Sequence, residues 1–463
     1  MDNDNGDFIV EKEISYSINF SQDLLYKILD SYIVPNFKDV QEYFDFYDEN
    51  NTRTRLSTTS VSSIKKHSTK CENFAYWVPN TNVLVPLVWR ESKEIKTPHT
   101  LLTNNLNKIL KVYVYKHDGI EIKFEHVYFS KNYIDTFDSM MADKIVKLLN
   151  ILENCPSFGD ATKNSQLGSD EILAQLRLEY EFDGNEPDAN QLNIMCKMIA
   201  DMESLGDYQN ISPCLPYTTL LDKIVPRKFE QEQKIVYGDN REEFDDIEIN
   251  KWAYKLDGIR GRGIFVRNFC LIQADDTKFY STKLVNLFKL NNIVSFQCEI
   301  MDDNKIYVTD LLQIFKYKYN NRTQYECAID HPYVLDANVA TECINHLNEH
   351  VKSITLTDTT PKCTMLFQKF FTPPLVQTSY TTFAIDGYVV LDSMLRYHKF
   401  KWIKSVELEY DAHNNAFNSL NGTLKNYFIV SNIKLEHERV YECALTDNII
   451  NVLKHRPDRI VPN

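Results

Sequence analysis

The stretch Lys255-Leu256-Asp257-Gly258-Ile259-Arg260-Gly261 decides how the second half of this chain is interpreted. It has the form K-x-D-G-x-R-G, which brings a lysine, a carboxylate, an arginine and two glycines together. A surface turn after a strand can have the same composition, so the stretch alone is weak support for a function. The residues that follow it along the chain make a surface turn an insufficient explanation.

Further charged residues follow on predicted strands. The continuous apolar runs Val294–Ile300 and Ile306–Leu312 predict two of these strands. Lys399-Phe400-Lys401 places two ammonium groups on one face of another strand, because side chains alternate between the faces of a strand. In chain order, the charged groups are Glu299, Asp310, Asp386 with Gly387, Lys399 with Lys401, and the terminal Arg456-Pro457-Asp458-Arg459.

These motifs, in this order, resemble the covalent nucleotidyltransferase superfamily, which contains mRNA capping guanylyltransferases and polynucleotide ligases. In such enzymes a lysine amine attacks the α-phosphate of a nucleoside triphosphate and forms a phosphoramide. The terminal R-x-D-R-x-x-P-N and the S-V-E-L of Ser405–Leu408 are similar to the capping branch. The resemblance covers about Trp252 to Asn463.

The chemistry gives each residue type a role. Lys255 is the predicted nucleophile, and nearby cations together with burial would favour its neutral, attacking form. Lys399 and Lys401 are predicted to neutralise charge that develops on the α-phosphate. The resemblance implies that Glu299 contacts ribose and that Asp386 holds a metal near the α-phosphate, while Asp310 could equally orient a neighbour. The full set predicted to bind GTP is Asp257, Gly258, Arg260, Glu299, Asp310, Asp386, Gly387, Arg456, Asp458 and Arg459.

The N-terminal half carries alternating glutamates on two predicted strands. Glu11 and Glu13 share one face of Ile9–Phe20, roughly 7 Å apart along the strand. Arg177-Leu178-Glu179-Tyr180-Glu181 repeats the pattern near the end of this half. Two facing carboxylate pairs repel each other unless they hold a divalent cation. Half-exposed strands with solvated glutamates would show the same alternation, so both interpretations stay open on this pattern alone.

Other strands of this half carry cations in the same alternation. The E-x-E opening strand and the R-x-E-x-E closing strand resemble the triphosphate tunnel metalloenzymes, the metal-dependent RNA 5′-triphosphatases. The resemblance implies that a divalent metal, Mg²⁺ or Mn²⁺, binds Glu11, Glu13, Glu179 and Glu181. It implies phosphate binding by Arg53, Arg55, Lys65, Arg90 and Arg177, with Lys66 as the alternative to Lys65.

Both halves, in this order, resemble the baculovirus late expression factor four family of bifunctional capping enzymes that are subunits of a viral RNA polymerase. The chain is acidic, with a net charge of −14, whereas proteins that hold nucleic acid through bulk charge are normally basic. Delivery of the RNA by a polymerase would explain that balance. The resemblance implies the RNA 5′ end, GTP and other polymerase subunits as partners, and an intracellular location in the host nucleus.

The predicted fold class is α+β with several domains. We predict a β tunnel over residues 1–207, a proline-containing linker over 208–250, a nucleotidyltransferase domain over 251–410 and, from the resemblance, an OB-fold over 411–463. Helices are predicted at Met140–Leu152 and Ala189–Leu205. No apolar run approaches the roughly 20 residues of a membrane span, so no membrane partner is expected. The ten cysteines form no C-x-x-C pair, which disfavours zinc.

The leading functional hypothesis is a bifunctional mRNA capping enzyme, an RNA 5′-triphosphatase and a guanylyltransferase that works through lysyl-GMP. The first alternative is an RNA or DNA ligase that forms lysyl-AMP, which the terminal motif and the front half disfavour. The second is a polymerase subunit without catalysis, which the retained charged residues disfavour.

Overall fold

Strands dominate this protein in a computed structural model. The structure describes residues 8–50, 52–97, 106–130, 173–206, 217–234, 247–267, 269–283, 287–288, 290, 292–320, 324–356, 359, 362–376, 384–403 and 405–462. The predicted helix Met140–Leu152 lies outside these residues. Within them, no helix is long and apolar enough to cross a membrane.

Eight N-terminal strands close into a barrel. They are β1 (Phe8–Ile18), β2 (Val40–Asp48), β3 (Thr52–Ser57), β4 (Val61–Trp77), β5 (Leu84–Thr97), β6 (Leu106–His117), β7 (Ile120–Ser130) and β8 (Leu173–Glu181). Their order is β4-β3-β2-β6-β7-β8-β1-β5, and β5 pairs back onto β4. A closed sheet leaves no unpaired edge, and alternation gives each strand one inward and one outward face. The barrel confirms this part of the predicted fold.

Part of the outward face of the barrel is apolar and packs against helices. The helices on this side are α1 (Gln22–Ile28), continued by a π-helical turn at Leu29–Ile33 and a short turn at Val34–Asn36, then α2 (Ala189–Ser204) and α3 (Tyr217–Asp222). Ile14, Ile122 and Leu178 of the barrel belong to one buried cluster with Ile199 of α2. Full burial of each such side chain contributes about 1.5–3 kcal/mol to folding. Asp188 starts α2 by accepting backbone hydrogen bonds from the first turn.

A bulge in β4 changes which side chains face the barrel interior. The register between β4 and β5 shifts between Ser68 and Lys70. Before the shift Lys66 pairs with Glu94, and after it Phe74 pairs with Leu87, which is buried in the outer core. One extra residue therefore allows the same strand to place polar residues inside and aromatic residues outside.

The second half contains two further sheets and one long helix. Its elements are β9 (Phe229–Lys234), β10 (Ile249–Leu256), β11 (Ile259–Phe265), β12 (Phe269–Ala274), β13 (Phe279–Lys283), β14 (Asn292–Ile300), β15 (Lys305–Asn320), β16 (Gln324–Val334), α4 (Ala337–His350), β17 (Ser353–Leu356), β18 (Cys363–Phe367), β19 (Ile385–Asp392) and β20 (Tyr397–Lys401). Strands β11–β16 extend the barrel sheet through a parallel pairing of Val334 with Phe74. Strands β10, β19, β20 and β9 form a separate four-stranded sheet.

The structure differs from the sequence-based expectation at the predicted linker. Residues 208–250 contain α3 and β9, and β9 pairs in parallel with β20, the strand of Lys399 and Lys401. A segment in which strand pairing satisfies the backbone is part of the sheet and not a passive connection. Helix α4 was not among the helices predicted from the sequence, and the side chain of Asp336 caps its first turn.

The C-terminal residues form a six-stranded sheet. Its strands are β21 (Ser405–Asp411), β22 (Ala416–Ser419), β23 (Gly422–Leu424), β24 (Phe428–Ser431), β25 (Arg439–Thr446) and β26 (Ile449–His455). Strand β21 pairs with β22 and β25, so this sheet begins at Ser405 and not at the predicted boundary, residue 411. Leu408, Phe417 and Tyr441 form its buried core.

Candidate active sites

The barrel interior is lined by charged side chains from most of the strands that close it. Register fixes this arrangement, because directly paired residues share a face: Glu13 lies opposite both Arg90 and Glu181, and Glu179 lies opposite Glu121. The charged side chains on this face include Glu11, Glu13, Asp45, Arg53, Arg55, Lys66, Arg90, Glu94, Glu121, Lys123, Glu125, Arg177, Glu179 and Glu181.

Three interior glutamates form a group that fits a divalent cation. One carboxylate oxygen each from Glu121, Glu179 and Glu181 lies within 4.8 Å of the others. Burial raises the pKa of Glu181, and the negative charges of Glu11, Glu121 and Glu179 add to that rise. Hard carboxylate oxygens in this number suit Mg²⁺ or Mn²⁺, and a cation would relieve the repulsion. Glu179 and Glu181 were predicted ligands, and Glu121 was not.

The other two predicted metal ligands, Glu11 and Glu13, hold cationic side chains. The Lys66 ammonium contacts Glu11 and lies 3.6 Å from Oε2 of Glu13. Arg90 Nη1 lies 3.3 Å from Oε1 of Glu13. Of the two lysines that the sequence left open, Lys66 is therefore the one in the interior. Lys65, chosen from the sequence, pairs with Thr52 and Ile95 on the opposite face.

Buried ion pairs fix the remaining interior charges. The Lys123 ammonium contacts Glu179, and Arg177 Nε donates to Glu125 at 2.8 Å. Burial alone would raise the pKa of Glu179, but Lys123 and Arg177 lower it to about 2. Glu179 is thus an anion over the whole physiological pH range, as a metal ligand must be.

A second buried pair lies further along the interior. Arg55 makes a bidentate contact with Asp45 through Nε and Nη2, each at 2.8 Å, and its guanidinium stacks 3.6 Å over the ring of Tyr43. A bidentate arginine is rigidly oriented. Of the predicted phosphate-binding residues, Arg55 and Arg177 thus already have carboxylate partners, as do Arg53 with Glu94 and Arg90 with Glu13.

The four-stranded sheet brings Lys255 and Asp386 together. Lys255 Nζ lies 2.7 Å from Oδ1 and 2.8 Å from Oδ2 of Asp386. Lys255 pairs with Gly387 in β19, and Gly387 pairs with Lys401 in β20. The predicted nucleophile therefore has a carboxylate as its immediate charged neighbour, where cations had been expected from the sequence. The Lys399 ammonium lies 4.3 Å from the ring of Phe229.

Gly387 is the residue that allows these strands to approach. Its φ is +146°, and a Cβ at this position would overlap the carbonyl oxygen of Phe400 in β20. Only glycine adopts such a conformation without strain. A Cβ on Gly258 would lie 2.5 Å from the carbonyl oxygen of Ile300, so this glycine is required by strand packing.

Glu299 and Arg260 face each other across β14 and β11. Burial raises the pKa of Glu299 to about 7, and the positive charge of Lys255 opposes that rise. Oε2 of Glu299 is buried without a hydrogen-bond partner among the described residues. Arg260 is held by Asp275, whose Oδ2 lies 2.8 Å from Nε. An orphaned buried carboxylate oxygen is the type of acceptor that a ribose hydroxyl would satisfy.

Asp310 is engaged with a residue outside the predicted set. Arg227 Nε donates to Asp310 at 2.7 Å, and the same guanidinium bonds the backbone carbonyls of Leu311 and Leu335. Burial raises the pKa of Asp310, and Arg227 opposes the rise. Nucleotide binding and the orientation of a neighbour both stay predictions for Asp310, whose side-chain partner in this structure is Arg227.

The terminal motif forms an ion-pair network on the C-terminal sheet. Arg456 makes a bidentate contact with Asp458 at 2.8 and 2.9 Å and also contacts Glu407 and Glu442. Arg459 Nε lies 3.2 Å from Glu407.

One strand of this sheet reaches the turn that follows Lys255. Lys454 in β26 contacts Asp257, in the turn after Lys255, and lies 3.6 Å from Glu442. Lys401 donates to Ser405, which donates to Glu442. The terminal arginines are thus connected to the Lys255 region through side chains.

Sequence comparison identifies the family. A profile described as late expression factor 4 (LEF-4) matches residues 11–463. This chain belongs to the LEF-4 family. The mRNA capping enzyme LEF-4 of Autographa californica nuclear polyhedrosis virus is 63% identical over 99% of this chain and 100% of the relative. The protein of the same name from Orgyia pseudotsugata multicapsid polyhedrosis virus is 49% identical over 99% of each chain.

Solved structures with a detectable likeness include two triphosphatases. The Mimivirus capping enzyme triphosphatase is 11% identical, with a TM-score of 0.24, and covers 42% of this chain and 89% of its own. The S. pombe Pct1 RNA triphosphatase is 12% identical, with a TM-score of 0.21, over 42% and 76% of the two chains.

This LEF-4 family member has charged residues at the candidate sites to which no role was given from the sequence. They are Asp45, Glu94, Glu121, Lys123 and Glu125 in the barrel, and Asp275 and Lys454 in the second half. The sequence does indicate part of this set. Charged and apolar residues alternate in Glu121-Ile122-Lys123-Phe124-Glu125 as strictly as they do in the closing strand. Asp275 and Lys454 come from turns and from a distant strand, and no local pattern indicates them.

Proposed function

We propose that this protein is an mRNA capping enzyme with two reaction centres, an RNA 5′-triphosphatase in the barrel and a guanylyltransferase around Lys255. The observation that carries the proposal is the Lys255–Asp386 contact beside Gly387, since it combines a candidate nucleophile with a carboxylate that suits a metal. Membership of the LEF-4 family supports it, and so does the name of its relatives, which are mRNA capping enzymes.

In the proposed triphosphatase step, the barrel binds the triphosphate end of RNA. Arg53, Arg90 and Arg177 lie on interior walls and offer guanidinium groups for phosphate oxygens. Glu121, Glu179 and Glu181 would hold Mg²⁺ or Mn²⁺ together with Glu11 and Glu13. When bound, the metal supplies charge neutralisation at the γ-phosphate. Lys123 keeps Glu179 ionised and oriented.

In the proposed guanylyl transfer, the Lys255 nitrogen bonds to the α-phosphorus of GTP as the bond to pyrophosphate breaks. The β-phosphate oxygen of the RNA diphosphate end then attacks the same phosphorus, and the P–N bond breaks. Lys401, across Gly387 from Lys255, would balance charge on the α-phosphate. Glu299 would receive a ribose hydroxyl, and the terminal arginines would bind the pyrophosphate after leaving Glu407 and Glu442.

Labelling with α-³²P nucleotide tests the transferase assignment. The protein incubated with labelled GTP and a divalent metal should become labelled, and Lys255→Ala should remain unlabelled. Lys278→Ala, at an exposed turn, is the matched control and should label like the wild type. Labelling by ATP in place of GTP would instead support a ligase.

Phosphate release from triphosphate-ended RNA tests the barrel. Glu11→Ala should lose release while retaining GTP labelling, because the two centres use different strands. If Glu11→Ala releases phosphate at the wild-type rate, Glu11 is not a ligand of the metal. If the wild-type protein shows neither GTP labelling nor phosphate release, the result would support a non-catalytic polymerase subunit. Association with other viral RNA polymerase subunits, and action in the host nucleus, belong to the same proposal and rest on family resemblance.

A further inference from the structure

The Lys66 side chain occupies the space between two glutamates that the proposed triphosphatase assigns to a metal. Its ammonium contacts Oε2 of Glu11 and lies 3.6 Å from Oε2 of Glu13 and 4.0 Å from Oε1 of Glu94. Register brings it there, because Lys66 pairs with Glu94 in β5, and Glu11 pairs with Ser92 two residues away in the same strand.

The oxygens that Lys66 contacts are ones that a divalent cation would need. Ser92 Oγ donates to the same Oε2 of Glu11 at 3.2 Å, and Arg90 lies 3.3 Å from the other oxygen of Glu13. A divalent cation on the same oxygen would lie close to the positive charge of the ammonium, and the two cations would repel each other. The ammonium and the metal therefore compete for Glu11.

The exposure and flexibility of the Lys66 side chain allow it to leave that position. Its side chain is 31% exposed, whereas those of Lys123 and Glu179 are 7% and 3% exposed. A lysine is a flexible point charge with rotatable donors, unlike a bidentate arginine. Glu94 offers it a second carboxylate on the neighbouring strand.

We propose that Lys66 is an internal competitor for the metal, which sets the metal affinity of the barrel by neutralising Glu11 and Glu13. The inference rests on the proposed triphosphatase function. Removing the charge of Lys66 should therefore tighten metal binding, whereas loss of a purely structural or phosphate-binding lysine would weaken it or leave it unchanged.

The test is titration of Mn²⁺ into the full-length protein, with calorimetry or the electron paramagnetic resonance of free Mn²⁺ as the readout. The Asp386→Asn background removes the second carboxylate site. Lys66→Met should bind Mn²⁺ about tenfold more tightly than its parent, because a positive charge next to the ligating oxygen is removed. Lys65→Met, its neighbour on the outer face, and Lys66→Arg, which keeps the charge, should bind like the parent.

The outcomes separate this inference from the proposed function. Equal or weaker binding in Lys66→Met, with binding lost in Glu11→Gln, would overturn the role of Lys66 and leave the metal site intact. Binding that is absent, or that Glu11→Gln does not change, would overturn the metal site and the inference with it. Circular dichroism without metal shows whether each variant folds, and Lys66→Gln replaces Lys66→Met if the latter does not.

Discussion

The Lys255 amine and the Asp386 carboxylate contact each other through both carboxylate oxygens, at 2.7 and 2.8 Å. Neither side chain is fully exposed, and adjacent strands fix both backbones. A partly exposed pair of this kind contributes only about 0–1 kcal/mol to stability. Its importance is therefore geometric, because it holds the amine in one orientation beside a potential metal ligand.

Replacing Asp386 with asparagine should abolish nucleotide labelling without unfolding the protein. We expect the labelling rate to fall by about 10²-fold or more, the scale seen when one electrostatic group at a reacting centre is removed. The rate of labelling by α-³²P GTP is the measurement, with the melting temperature recorded in parallel. Asp303→Asn, in an exposed turn, is the control. Wild-type labelling in Asp386→Asn would remove Asp386 from the reaction.

A methyl group on Gly387 should separate β19 from β20. The Cβ of Gly387→Ala would overlap the Phe400 carbonyl at a φ of +146°, so either the strand pairing or the backbone must change. We expect destabilisation by more than about 2 kcal/mol together with loss of labelling. Gly422→Ala is the matched control, since its φ is +113° and nothing lies within 4 Å of the added atom. Equal unfolding midpoints in urea for the two variants would contradict the steric explanation.

Glu299 should make stability depend on pH near neutrality. Burial raises its pKa from 4.5 to about 7, so its protonated form stabilises the fold at low pH, and this contribution is lost as pH rises through about 7. Glu299→Gln should therefore gain stability relative to wild type between pH 5 and 8, by at most about 3 kcal/mol. Urea unfolding across this range measures it. Parallel pH profiles for the two proteins would show that Glu299 is ionised in the fold at pH 5.

Removing only one member of the Lys123–Glu179 pair should destabilise the protein more than removing both. Lys123→Met leaves the Glu179 charge buried beside fewer cations, which costs about 3–5 kcal/mol in comparable sites. The double variant Lys123→Met/Glu179→Gln should recover a large part of that loss, as judged by urea unfolding in a double-mutant cycle. Additive losses would mean that the two side chains do not interact in solution.

Local patterns were sufficient to predict several elements of this fold. The predicted elements Ile9–Phe20 and Ala189–Leu205 deviate from the observed ones by only one or two residues at an end. In each case, strict alternation or helical spacing with a capping residue agrees with the tertiary contacts. Segment 208–250 was misjudged because β9 owes its strand conformation to pairing with β20, which is distant in sequence.

At the candidate sites, too, local patterns predicted some residues, whereas others depend on contacts with distant parts of the chain. Lys255, Asp386 and Gly387 were predicted by motif, and the structure places them together. The choice between Lys65 and Lys66 depended on the phase of one strand relative to its neighbours, which the sequence of β4 alone does not contain. Arg227, the partner of Asp310, lies in the segment taken for a linker, so nothing local connected the two residues.

The bulge in β4 also predicts how this gene tolerates small deletions. Loss of one codon between those for Ser68 and Lys70 would remove the extra residue, and side chains would then alternate between the inner and outer faces without interruption along β4. Either Lys66 would leave the interior, or Phe74 would enter it and abandon its place opposite Leu87. A deletion of one residue at this bulge should therefore impair the protein, although the same deletion in an ordinary hairpin loop would be tolerated. Natural isolates should accordingly keep the length of this strand constant even where its residues vary.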